Sequence, residues 1–332
     1  ALDNVELDIV IEATGTPAAG AIVAKNVLNR GINLILLNVE TEATIGLALR
    51  KEAEKNNAIV TVADGDEPVA ALDLYNFATE LSFEVISIGK GKNNPFNTFA
   101  TPSSLTKEAS LKQMNPKMLT SFVDGTKTMV EMTALANFLD FNIDIDGMHG
   151  IEATYENINQ YYIPKKDGGL LDESQVVDFA FGIAPGVFAV IYSEDDYVNY
   201  EMEYLKMGKG PYWTLARPYH LTSLEIPRTI RHIMLEKYSK LSAQSWNVEV
   251  VAHAKQDIEP GTNLGSIGGD YIFGKAQKIS SSKGLLPIGI AEDNVVIKAI
   301  AKGNPIAIDE VDAQDNELCE YWDYQNQILD SD

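Results

Sequence analysis

An α/β fold built in three parts is what the sequence predicts. Three observations point to it. Strand-like and helix-like segments alternate over the first ninety or so residues, as in a parallel sheet covered by helices on both faces. A middle region centres on one helix that is apolar nearly all the way round. From about Trp246 the pattern changes to short strands punctuated by glycine and proline. The expected division is a parallel-sheet domain over residues 1–88, an α+β domain over 89–245 and a small all-β module with an acidic tail over 246–332.

In order, residues 7–11 form a short β-branched run ending in Glu12-Ala13-Thr14-Gly15, and residues 18–28 carry small and aliphatic side chains at helical spacing. Gly31 fits the position just past that helix, and residues 32–39 read as the next strand. "TIGLALRKEAEKNN" and "AIVTVADG" repeat the alternation. "DEPVAALDLYNFATELS" is a helix that Asp66 can cap, with Pro68 in its first turn, and "FEVISIGKG" is a fourth strand. This is the pattern of a partial Rossmann-type parallel sheet, which places ligands at the carboxyl ends of its strands. Those ends are Glu12–Gly15, Asn38-Val39-Glu40, Asp64-Gly65-Asp66 and Gly89-Lys90-Gly91-Lys92. Glycine and asparagine also simply terminate strands, but the systematic charge favours a ligand-binding edge. Thr14, Gly15, Asn38 and Glu40 are the positions expected to hold a cofactor there.

The G-x-G-x-x-G turn that admits a pyrophosphate to a helix N-terminus does not occur in the chain, and "GKGKNN" lacks the third glycine. The chain also begins with Ala1, so the simplest expectation is a fragment without its first βαβ unit.

The central helix begins at Thr126 in "DGTKTMVEMTALANFL". Asp124, Lys127 and Glu131 fall at i, i+3 and i+7, on one face. A lysine and a glutamate one turn apart on a buried helix must be paired, because an isolated buried charge is very costly. A structural ion pair accounts for that alone; an active-site face is the alternative. Lys90, Lys92 and Asn93 lie at a strand end among glycines and asparagines, either as a solvated turn or as a cradle for a carboxylate or phosphate.

Composition narrows the function classes. The chain has 332 residues, 45% hydrophobic and 22% charged, with a net charge of −22. That charge repels phosphate backbones, so no nucleic-acid partner is expected. Apolar runs are strand-sized, which argues against a membrane partner. One cysteine, Cys319, precludes an internal disulfide and fits a reducing, cytoplasmic setting. Neither H-x-x-x-H spacing nor a G-x-S-x-G elbow occurs. Asp144, Asp146 and His149 read as a capped turn rather than an ion site, so no metal ligand is assigned. Residues 155–180, with Tyr161, Tyr162, Lys165 and Lys166, read as a polar excursion or lid. "GVFAVIYS" and "PYWTLARPY" are two strands, followed by a helix in "IPRTIRHIMLEKYSKL". Met202, Met207 and the aromatics between 199 and 219 suit core or a subunit interface, and a homo-oligomer is expected. The C-terminal tail reads as solvated or loosely docked.

"EATGTPAAG", "GKGKNNPFN", "FVDGTKTMVEMTALAN", "APGVFAVI", "YLKMGKGPYWTLARPYHLTSLE" and "VVAHAKQDIEPGTNLGSIGG" occur in that order. Over roughly residues 1–310 this set resembles the homoserine-dehydrogenase-like oxidoreductases that end in a SAF domain. That family includes an enzyme doing the work of 1-deoxyxylulose-5-phosphate reductoisomerase. The resemblance implies an NAD or NADP cofactor, a catalytic middle domain and a SAF-like C-terminal β module. In true homoserine dehydrogenases the strand ends in Asn-Lys, whereas here Val39 and Glu40 follow Asn38. Their helix motif is D-G-x-D-x-x-x-K; Lys127 and Glu131 stand in it with the charges exchanged, which argues against homoserine as substrate.

The expected function is an NAD(P)-dependent oxidoreductase, or reductoisomerase, acting on a small polar anionic carbonyl or hydroxyl compound. Lys127, Glu131 and Asp124 would be catalytic, Lys127 polarising an oxygen and a carboxylate orienting it or shuttling the proton. Such reductoisomerases use a divalent metal, for which only the weak set Asp124, Glu131 and Glu152 offers itself. The alternative is a non-catalytic ligand-binding or assembly protein working through the β module.

Overall fold

The computed structural model describes residues 4–331. Three strands, β1 (Ile9–Glu12), β2 (Asn33–Leu36) and β3 (Val60–Val62), form an all-parallel sheet in the order β1-β2-β3. Helices α1 (Pro17–Leu28), α2 (Val39–Lys55) and α3 (Glu67–Glu80) alternate with them. Apolar strand residues such as Leu34, Ile35, Leu36 and Val62 are fully buried, as both-face coverage requires. Asn38 caps α2 by accepting from the Thr41 amide at 3.3 Å, and Asp66 caps α3 with Pro68 in the first turn.

The fourth predicted strand, β4 (Glu84–Lys92), does not join that sheet. It is the centre of a second, mixed sheet. After α4 (Pro102–Lys112), α5 (Pro116–Val123) and α6 (Thr126–Leu139) come β5 (Ile151–Glu152), β6 (Val176–Phe181), β7 (Val187–Tyr192), helix α7 (Asp196–Tyr204) and β8 (Tyr212–Arg217). The order is β5-β6-β4-β7-β8, with β4 parallel to β6 and antiparallel to β7. Strand-forming residues announce β4, but its partners lie more than eighty residues downstream, so local pattern could not say which sheet it enters.

The 155–180 region is no lid. Tyr162 is fully buried, stacked on Phe188 at a 5.6 Å centroid distance, and Ile158 and Leu171 pack beside it. The helix expected after β8 is shorter: α8 (Ile226–Arg231) runs into a wider π turn at His232–Glu236 and stops at Lys237 in the left-handed region.

In the C-terminal region β9 (Val248–Ala254) and β10 (Ile272–Lys278) form an antiparallel hairpin, followed by α9 (Ile279–Ser282). The other expected strands shrink to β11 (Val295–Val296) paired with β12 (Val311–Asp312), plus isolated bridges. The acidic tail is helix α10 (Glu317–Ser331), which packs on α1 and α2 through Leu318 and Tyr321; Gln325 is buried and accepts from the Ala48 amide at 3.3 Å.

The apolar helix α6 ties these parts together. It touches α2 and α3, β4 and β6, and both strands of the β9–β10 hairpin, which explains why it has no polar side to give to solvent. Among the described residues no helix is long and apolar enough to cross a membrane.

Candidate active site

The site grows from the alternation of β4. In "GKGK" the lysines fall on one face of the strand and the glycines on the other. A Cβ on Gly89 would lie 1.7 Å from the Asp178 carbonyl oxygen, and one on Gly91 would lie 2.4 Å from the Ala184 amide nitrogen. Glycine is therefore demanded where β6 and the 183–184 turn press close. Lys90 thereby reaches α3 and α6 and Lys92 reaches Phe122 of α5, and both are nearly buried, with 6% and 5% of their surface exposed.

Lys90 Nζ donates to Glu67 at 2.7 Å and also to Glu131. Lys127 Nζ lies 3.0 Å from Glu40 and 3.7 Å from Glu131. The i,i+4 pair expected on α6 thus exists, but as the middle of a chain running Glu67–Lys90–Glu131–Lys127–Glu40. Burial works against the charge of both lysines, yet the surrounding carboxylates overrule it and raise both, so they stay protonated. Burial also pushes Glu67 up, but the Lys90 ammonium outweighs it and holds that carboxyl well below the usual range. For Glu131 burial and the nearby Glu67 win, and its carboxyl is raised. Asp66 is raised further, chiefly by burial, against the pull of Lys127.

Lys92 differs from both. It donates to the Phe122 carbonyl and lies 5.6 Å from the centroid of the Phe96 ring, with no carboxylate of the described residues at ion-pair distance. Burial, helped by Lys90, lowers it to about 8. It is the ammonium of the cavity that has charge to offer a ligand.

Two openings meet here. A cavity of about 330 Å³ is lined by Asp66, Glu67, Lys90, Lys92, Asn93, Glu131 and His220. A cleft of about 620 Å³ runs from Thr14, Gly15 and Glu40 to Lys117 on α5 and to Ser266 and Glu292 of the C-terminal region. Leu37, Phe122 and Lys127 line both, so Lys127 stands at the junction.

Most residues singled out in the sequence are brought together, with two exceptions. Asn38 is buried and shapes the rim, donating to the Thr16 carbonyl at 2.8 Å. Asp124 lines neither opening. It accepts from the Thr126 amide at 2.9 Å and pairs with buried Lys255 at 2.8 Å, fastening the first turn of α6 to the C-terminal region. Three cavity residues were given no site role of their own: Asp66, named as part of a strand end and as a helix cap, Glu67 beside it, and His220, whose Nε2 is 3.5 Å from Glu67. Their signal was available, since Asp64-Gly65-Asp66 is one of the charged strand ends.

The carboxylate set Asp124, Glu131 and Glu152 does not assemble either. The carboxylates that do converge are Asp66, Glu67 and Glu131, with one oxygen from each within 4.8 Å of the others. Lys90 already binds two of them and Lys127 a third oxygen, so ammonium groups supply the positive charge a divalent ion would bring.

A buried, charge-networked cavity opening onto a cleft at the carboxyl ends of parallel strands is the arrangement of an α/β enzyme. Residues 65–226, which hold the cavity side of this site, match the family model of the catalytic domain of oxidoreductase DRL, and the chain is an enzyme of the oxidoreductase class. No curated protein matches it. Among solved structures, a Bacillus cereus oxidoreductase is similar at 15% identity over 71% of this chain and 73% of its own, with a TM-score of 0.32. A Bacteroides fragilis NCTC 9343 protein, provisionally named an oxidoreductase, is similar at 12% identity over 73% and 74%, with a TM-score of 0.29. Both scores are too low to speak for a shared fold, and the class rests on the family match.

Proposed function

We propose that the protein is an NAD(P)-dependent oxidoreductase acting on a small polar carbonyl or hydroxyl compound that carries a carboxylate or phosphate. The observation that carries this reading is the junction at Lys127 between the strand-end cleft and a cavity whose uncompensated charge is Lys92. The cleft of about 620 Å³, lined by Thr14, Gly15 and Glu40 and also by Ser266 of the C-terminal region, is where the cofactor would bind. A cofactor held there supplies or accepts the hydride and its two electrons.

The chain's own residues do the rest. Lys92 and Asn93 hold the substrate's anionic group. Lys127, kept charged by Glu40 and Glu131, donates to the substrate oxygen and stabilises the negative charge that develops there as the carbonyl is reduced. Asp66, which lines the same cavity and whose carboxyl is raised chiefly by burial, would give that oxygen its proton and take it back in the oxidising direction. Glu67 and Glu131 keep Lys90 and Lys127 fixed without neutralising Lys92. Simple hydride transfer is favoured over a metal-dependent isomerising reaction, because Lys90 and Lys127 already pair with Glu67 and Glu131, two of the three carboxylates such a metal would need. The C-terminal β region, which resembles a SAF module, would act as the cleft's outer wall rather than as an independent binding module.

The test is NADPH or NADH oxidation, followed by its near-ultraviolet absorbance, with a panel of short carbonyl compounds bearing phosphate, carboxylate or no charge. Turnover with charged members and at least about tenfold lower kcat/KM for uncharged ones is expected. Equal rates with uncharged compounds, or no turnover with any member, would overturn the reading.

A further inference from the structure

His220 lines the cavity with one ring nitrogen already bound. Its Nδ1 is 3.0 Å from the Thr222 hydroxyl and 3.3 Å from the Gly65 carbonyl oxygen. Thr222 donates its only hydroxyl hydrogen to that same carbonyl at 3.2 Å. Both neighbours of Nδ1 are therefore acceptors, so Nδ1 carries the hydrogen. This arrangement fixes the tautomer and leaves Nε2 as the nitrogen that can gain and lose a proton.

Nε2 is turned toward the carboxylates. It stands 3.5 Å from Glu67 Oε1, the oxygen that also accepts from Lys90. Asp66 accepts from the Glu67 amide at 2.9 Å and brings a carboxylate oxygen within 4.8 Å of one from Glu67. On the reading above, Asp66 gives up a proton in every reduction, and at 4% exposure it is poorly placed to recover one from water. Most other titratable groups of the cavity wall are already committed. Lys90 and Lys127 are kept protonated, Glu67 and Glu131 are held by those lysines, and Lys92 is engaged with the substrate's anionic group. His220 remains, with 22% of its side chain exposed.

We propose that His220 is the proton relay of the site, passing the Nε2 proton to Asp66 after each reduction and recovering one from solvent. The inference rests on the oxidoreductase reading. In the reducing direction the cofactor's hydride forms the new C–H bond, and the carbonyl π pair takes the Asp66 proton to form O–H. Nε2–H then reprotonates Asp66, and water returns a proton to Nε2, so each turnover consumes one solvent proton. Oxidation runs the same steps backward. Glu67 holds the imidazolium toward the cavity. His220 acts through Asp66 and so positions a proton rather than touching the substrate.

The test compares wild type, His220→Ala and His220→Gln with the panel substrate that wild type turns over best, in light and heavy water. Both variants should lose at least about tenfold in kcat, with KM and NADPH affinity within about threefold of wild type. Their solvent isotope effect on kcat should exceed that of wild type, because the proton step becomes limiting. Added imidazole should restore His220→Ala, which also shows that this variant is folded. A kcat within about threefold of wild type in either variant would overturn the relay. So would a fall in kcat with an unchanged isotope effect and no rescue, the mark of a purely structural histidine. An active wild type with unaffected variants removes the relay alone, whereas a wild type that turns over no panel member removes the oxidoreductase reading and the relay with it.

Discussion

Replacing Lys90 by methionine removes the ammonium that binds Glu67 and Glu131 and leaves both carboxylates where they are, with side chains 15% and 2% exposed. Breaking a buried pair by deleting one partner costs about 3–5 kcal/mol, and here two partners are orphaned. Part of the loss can be escaped by protonation, which gives the change a pH signature. In the wild-type protein Glu67 is held below its unfolded value, so its contribution is present above about pH 4.3 and lost only as the pH falls further. Without Lys90, burial dominates both carboxyls and their folded pKa values rise above the unfolded ones. The penalty is then absent below the unfolded value and grows as the pH rises through the shifted one. Urea denaturation followed by tryptophan fluorescence, at about pH 5 and about pH 8, measures this directly. The variant should lose about 3–5 kcal/mol at the higher pH and distinctly less at the lower. A loss below about 1 kcal/mol at pH 8, typical of a surface pair, would refute the buried network. So would a loss that increases toward acid.

Lys92, lowered to about 8, should release inorganic phosphate as the pH rises through that value, and Lys92→Met should bind phosphate weakly at every pH; calorimetric titration reads both. Gly91→Ala would force a Cβ to within 2.4 Å of the Ala184 backbone, so it should cost at least about 2 kcal/mol in the same urea assay, whereas Gly168→Ala, with open space around its Cβ, should cost only the strain of its positive φ. Glu249 is buried with its carboxyl pushed up to about 8 by desolvation, against the bond from Trp246 Nε1 at 3.2 Å. A raised carboxyl favours the fold below the unfolded value and that advantage is lost as the pH climbs to about 8, so Glu249→Gln should gain stability relative to wild type between pH 5 and pH 8.

What the sequence could tell depended on whether the deciding interaction was local. The run from β1 to α3 was legible because β-branched strands, Asp66 and Pro68 at a helix start, and glycine at a helix end act within a few residues. Helix α6 was legible because its apolar girth has only one explanation. The sheet that β4 joins was not, because β6 and β7 lie far along the chain. Helix α10 was hidden by its acid content; its buried side is only a stripe including Leu318 and Tyr321. The site divides in the same way. The face shared by Lys127 and Glu131, and the GKGK alternation, follow from helix and strand periods. Asp66, Glu67 and His220 come into the cavity only because α3 packs on β4 and the segment after β8 returns to Gly65, where the Thr222 hydroxyl binds the Gly65 carbonyl at 3.2 Å. Asp124 shares the Lys127 face by spacing, yet Lys255 draws it away.

The most direct test of the site is Lys127→Met in the whole protein, with the nicotinamide cofactor's affinity and the turnover of the best panel substrate measured on the same sample. Lys127 as the group that steadies the developing oxyanion predicts a kcat reduced at least about 100-fold, some 2.7 kcal/mol of transition-state stabilisation, with cofactor affinity changed by less than about threefold. Turnover within about tenfold of wild type would contradict that role and return Lys127 to a purely structural ion pair.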